Sequence, residues 1–182
     1  AEYRRALETP AQAAAAGIGL SAALQVQGRF EEAEQAGRSA LDLAPDHARA
    51  HATLAAALRA LGRTDEALAL GLRSVALEPG RASLHCDLAA TQIALRAVEA
   101  AQASAERAVA LAPENAEAHW NLALALLLRG DYARGWREYE WRWVQDREHD
   151  VVGSGAVSGG IVVVSDDGSV AMLSAVDGNT LF

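Results

Sequence analysis

Three prolines, Pro45, Pro79 and Pro113, stand 34 residues apart twice over. Each closes an apolar stretch of the same form: 40–45 reads ALDLAP, 74–79 SVALEP and 108–113 AVALAP. Proline has no amide proton and clashes with the preceding turn, so each of these points stops a helix and opens a connection. A period of this length constrains a chain strongly. Each period is one small unit that cannot bury its apolar face alone and must stack on its neighbour.

With position 1 set three residues after each proline, four units follow, at 14–47, 48–81, 82–115 and 116–149. Position 7 is Leu20, Leu54, Leu88 and Leu122, position 8 is Ser21, Ala55, Ala89 and Ala123, and position 20 is Ala33, Ala67, Ala101 and Gly135. Each unit reads as two amphipathic helices, A and B, of about 12–14 residues joined by a short turn. Small residues at positions 8, 20 and 27 let helices A and B approach closely. Large ones at 7, 11 and 28 fill the space between units. At position 15, in the turn, stand Gly28, Gly62, Arg96 and Gly130. Gly130 suits the left-handed conformation that ends a helix, and Asp131 suits the cap of the next one.

Composition agrees with close-packed helices. Alanine fills about a quarter of the 182 positions, and aromatics only 5%, which suits helices better than a β-sandwich. The formal charge is -8, every base is Arg and Lys is absent. An acidic chain of this kind lacks the footprint of a nucleic-acid binder. No run approaches 18 apolar residues, so no membrane span is indicated. A lone Cys86 excludes an intrachain disulfide and a cysteine-built metal site. The compartment stays open.

The 34-residue pattern resembles the tetratricopeptide repeat (TPR) family of bacterial proteins over about three quarters of the chain. The resemblance implies an all-α, right-handed superhelix of antiparallel helix pairs. Residues 1–13 then read as a partial unit, the second helix of an earlier one, and the chain looks cut from something longer or processed. Two departures carry expectations. Arg96 in place of glycine predicts a less regular turn in unit 3. Gly37 and Gly71 stand at position 24, where the family has a bulky residue. They predict thin packing between units, at about 1 kcal/mol each relative to Ala.

The resemblance also implies a concave groove lined by positions 2, 5, 9, 12 and 13 of helix A. From it we expect partner contact at Ile18, Arg49, Arg59, Ile93, Trp120, Asn121, Leu124 and Leu128. An apolar channel of this kind suits an amphipathic helix or an extended hydrophobic segment. A chaperone's acidic C-terminus does not fit, because the clamp it needs is represented only by Asn121 and the two arginines of unit 2. A second candidate surface closes unit 4. Trp136, Tyr139 and Trp143 fall on one helical stripe with Trp141 beside it. These rings either cover the open end of the stack or dock a partner. This segment is also similar to the last repeat of bacterial TPR chains that lead into a glycosyltransferase domain.

Chemistry finds little support. His51, His85 and His119 all occupy position 4, on the order of 10 Å apart and too far to share one ion. The resemblance makes them substitutes for the bulky ring packed between helices A and B. His47 and His149 fall in loops. Cys86 has no base or second thiol nearby in sequence. No phosphate-binding glycine loop, nucleophile elbow or zinc motif is present. No catalytic, cofactor-binding or metal-binding residue is assigned, and an enzyme is not expected.

After Asp150 the composition changes. Residues 150–182 read as a Gly/Ser linker and a β-hairpin: Ile161-Val162-Val163-Val164, a turn at Asp166-Asp167-Gly168, then Val170-Ala171-Met172-Leu173-Ser174. This tail looks like one piece of a quinoprotein-type β-propeller blade, with Phe182 where that family has Trp. A lone hairpin is marginal in water, and its edges invite pairing.

Three readings of function follow. The first is a non-catalytic scaffold that binds an apolar or amphipathic segment of a protein in the groove. The second is a structural protein that self-assembles through its unit ends and β-tail. The third is the targeting arm of a larger bacterial enzyme such as a glycosyltransferase.

Overall fold

The computed structural model describes residues 9–141 and the backbone of residues 160–164 and 170–174. Residues 1–8 of the expected partial unit 1–13, and Trp143 and His149, lie outside the described residues. Within 9–141 the helices are α1 (Pro10–Val26), α2 (Phe30–Leu43), α3 (Ala48–Ala60), α4 (Thr64–Leu77), α5 (Ala82–Ala94), α6 (Val98–Leu111), α7 (Ala116–Arg129) and α8 (Tyr132–Tyr139). Odd-numbered helices are the A helices and even-numbered ones the B helices. Among the described residues, each A helix packs on its own B helix, α3, α5 and α7 also pack on the B helix before them, and successive A helices pack on each other. This is the all-α stack of antiparallel helix pairs that the resemblance implies.

Local chemistry sets the helix ends. Thr9 caps α1, its Oγ1 accepting from the Gln12 amide at 3.3 Å, with Pro10 in the first turn. Residues 10–13 therefore belong to the first helix of unit 1, not to a preceding unit. Asn115 and Asp131 cap α7 and α8 in the same way. The three B helices before a proline stop at Leu43, Leu77 and Leu111, two residues short of Pro45, Pro79 and Pro113. Six residues after each proline stands a histidine. Nε2 of His51, His85 and His119 lies 2.8, 3.0 and 2.7 Å from the carbonyl oxygens of Pro45, Pro79 and Pro113. A carbonyl only accepts, so Nε2 donates. The imidazole ties the loop that ends one unit to the first turn of the next.

The turn in unit 3 corrects an expectation. Gly28, Gly62 and Gly130 take φ of +74°, +78° and +89°, and Arg96 adopts +59° in the same place. Its hydrogen bonds match those of unit 2: Arg96 to Ile93 and Ala97 to Gln92 at 3.0 and 2.9 Å, against Gly62 to Arg59 and Arg63 to Leu58 at 3.1 and 2.9 Å. The turn stays regular and the side chain bears the left-handed strain.

The helix crossings are dry and close. Ala33, Ala67 and Ala101 on the B helices are fully buried, as are Ala89 and Ala123 on the A helices. The Ser21 hydroxyl, buried at the first crossing, donates to the Ala33 carbonyl at 2.7 Å. Between units, Leu54 packs with Leu58, Leu41 and Leu70, and Leu122 with Leu126, Ala105 and Val109. Here the second expectation fails. Gly37 and Gly71 are not thin spots. A Cβ on Gly37 would lie 3.3 Å from the Leu54 side chain, and one on Gly71 would lie 3.2 Å from that of Leu88. The small residue at position 24 is the seat on which the next unit's position-7 leucine rests.

In the second compact unit of the chain, strands β1 (Gly160–Val164) and β2 (Val170–Ser174) pair antiparallel, from Gly160 opposite Ser174 to Val164 opposite Val170. The Asp-Gly turn and Phe182 lie outside the described residues.

Candidate partner-binding groove

The A helices lie side by side, and two side-chain bridges stitch them together. Gln25 of α1 donates to the Thr53 carbonyl of α3 at 3.0 Å, and Asn121 of α7 donates to the Cys86 carbonyl of α5 at 3.2 Å. Asn121 is therefore buried and engaged, not free for a partner. Ile18 is buried against Ala40 and Ala50, so it is core. The remaining groove residues are accessible. Arg49, Trp120 and Leu128 are exposed, and Arg59, Ile93 and Leu124 are half-buried. Trp120, Leu124 and Leu128 recur every four residues and make one apolar ridge along α7.

The two surfaces expected from the sequence meet. The Trp120 ring lies 5.1 Å from that of Tyr139, and Tyr139 lies 5.4 Å from Trp136, edge to face. Groove wall and aromatic end are thus one surface. Trp141 stands apart, stacked on His119 at 4.0 Å and nearly parallel. The other nitrogen of that imidazole faces Glu138 Oε2 at 2.5 Å. Tyr139 occupies position 24, the seat that is Gly37, Gly71 and Ala105 in the earlier units.

Sequence reasoning missed Asp87, half-buried on α5 between Cys86 and Leu88. Its carboxyl is pushed up to about 6, first by burial and then by Glu117, against the pull of Arg59 and Arg49. The only local signal was a charge set between two apolar neighbours. The Cys86 thiol is pushed up to about 12 by burial, then by Glu117 and Asp87, the reverse of what a nucleophile needs. Among the described residues, the side chains of Arg49, Arg59, Asp87 and Glu117 form no hydrogen bond and no ion pair within 4.0 Å. Arg59 Nε is buried without any acceptor. No described group of three or more His, Cys, Asp or Glu is placed to hold a metal ion, and no described helix is long and apolar enough to cross a membrane.

Family profiles described as tetratricopeptide repeat match residues 24–85 and 86–144. The chain belongs to the tetratricopeptide repeat family. TPR structures of known proteins share the fold. PilF of Pseudomonas aeruginosa superposes with a TM-score of 0.69 at 24% identity, over 76% of this chain and 63% of that one. MamA (41-end) of Desulfovibrio magneticus RS-1 gives 0.62 at 22%, over 74% and 76%. A mutant O-GlcNAc transferase of Thermobaculum terrenum gives 0.61 at 30%, over 69% of this chain but only 26% of the transferase. A comparison with curated proteins gives no match. The TPR repeats make this chain a protein-interaction scaffold in the general sense of its family.

Proposed function

We propose that the chain is a non-catalytic scaffold whose helix-A groove takes an apolar or amphipathic segment of a protein partner. The observation that carries this reading is the ridge of Trp120, Leu124 and Leu128. Trp120 is 38% and Leu128 40% exposed, and the ridge runs into the Tyr139 and Trp136 rings. Large rings beside accessible leucines are the material of interface hot spots. Affinity capture compares the chain with Trp120→Ala, both shown to be folded by circular dichroism. Capture falls at least tenfold in the variant. Equal capture removes the groove from the account.

A second reading, the targeting arm of a larger enzyme such as a glycosyltransferase, draws support from the 30% identity to the O-GlcNAc transferase. The complete reading frame tests it: a catalytic domain encoded in frame supports the arm, and none rejects it. Self-assembly by end-to-end stacking in repeat register meets an obstacle. A following unit would press its position-7 leucine onto Tyr139 instead of a glycine or alanine.

A further inference from the structure

We infer that the middle of this groove reads charge: the segment it takes carries, among its apolar residues, an acidic side chain that meets Arg49 and Arg59 and a basic one that meets Asp87 and Glu117. The inference rests on the groove reading above and names the chemistry of its partner.

Four charged side chains stand on three successive A helices. Arg49 and Arg59 come from α3, Asp87 from α5 and Glu117 from α7. Asp87 lies within electrostatic reach of the other three. Yet none pairs with another. Scarcity of partners is not the reason. On the turns and B helices, arginines find acids readily: Arg29 with Glu32, Arg63 with Glu66, Arg73 with Asp46 and Arg134 with Glu106.

The repeat register shows what Arg59 has given up. Gln25, its counterpart at position 12 of unit 1, spends its amide on the Thr53 carbonyl of the next A helix. The corresponding acceptor for Arg59 is the Asp87 carbonyl, which already accepts from the Thr91 hydroxyl at 3.0 Å. Arg59 Nε has therefore lost water and gained no acceptor, a state that folding alone does not repay. Asp87 is the mirror case, a half-buried carboxylate with no donor and a like charge, Glu117, nearby. A partner's carboxylate would satisfy Arg59. A partner's guanidinium or ammonium would relieve Asp87. The apolar ridge on α7 continues beside them. Complementary charges of this kind set specificity and register more than raw affinity.

The test pans a display library of random dodecapeptides on the whole chain and measures binding of the enriched peptides by fluorescence anisotropy. Enriched peptides carry one acid and one base at a fixed separation. Arg59→Glu and Asp87→Arg, each verified as folded by circular dichroism, weaken binding about tenfold or more. Replacing the peptide's acid by a base restores binding to Arg59→Glu. Peptides without fixed charges, bound equally by both variants but weakened by Trp120→Ala and Leu128→Glu, overturn the charge reading and leave the groove reading intact. Peptides bound equally by all four variants overturn the groove reading, and this inference with it.

Discussion

On the helix-B side of the stack, Glu34 bridges Arg38 at 2.8 Å and Arg63 at 2.7 Å. On the helix-A side, Asp87 lies within electrostatic reach of Arg49, Arg59 and Glu117, and none of the four bridges anything. The two sides belong to the same repeats, so composition does not explain the difference. Spacing does. The outer pairs link neighbouring units: Arg63 to Glu34, Arg73 to Asp46 and Arg134 to Glu106 are 29, 27 and 28 residues apart. In the groove, the residues one period after Arg49 and Arg59 are Ser83 and Ile93, which neutralise nothing. Outer charges are consumed in holding units in line. Groove charges are not.

Four measurements break or sharpen this contrast, beginning with the scaffold under both sides. Leu54→Ala empties the seam over Gly37, where the leucine is 2% exposed, and costs about 3 kcal/mol in urea unfolding. A much smaller loss means that the seam does not hold the two faces together.

Asp87→Asn comes next. The folded-state pKa of Asp87 stands above its ordinary value of 3.8, at about 6, so ionisation works against the fold. At pH 7.5 the carboxylate is charged folded or unfolded and its burial penalty is complete. Asn then gives a more stable chain, on the order of 1 kcal/mol. The advantage shrinks as pH falls through 6 and is gone below about pH 4, where both states bind the proton. Equal stability at pH 7.5 shows that Glu117 and burial do not act on this carboxyl.

Glu34→Ala removes the outer bridge. With both arginines exposed to screening, stability falls by about 0.5–1 kcal/mol at low salt and by less in high salt. Arg59→Ala gives the smallest change, within about 0.5 kcal/mol, because no partner is lost. A loss as large as that of Glu34→Ala abolishes the contrast between the two faces.

Legibility followed periodicity. The 34-residue spacing exposed the helix pairs, the alanine crossings and the leucine seams. The same register put Trp120, Leu124 and Leu128 on one accessible face of α7, because the face a residue takes is a matter of helical phase. It misassigned Ile18 and Asn121, whose phase is correct but whose neighbours Ala40, Ala50 and Cys86 cover or engage them. Gly37 and Gly71 looked like defects along the chain and are seats across it. Asp87 went unseen because its environment comes from α3 and α7, more than one helix away in sequence.

The amino-acid order by itself determined the unit, its turns and which face each helix turns to its neighbour, since these follow from prolines, glycines and apolar spacing within about one period. Only the tertiary structure decided which charges are neutralised and which stay open. It also joined the α7 ridge to the Tyr139 and Trp136 rings. Both outcomes depend on distances between side chains of different helices, and no local rule encodes those.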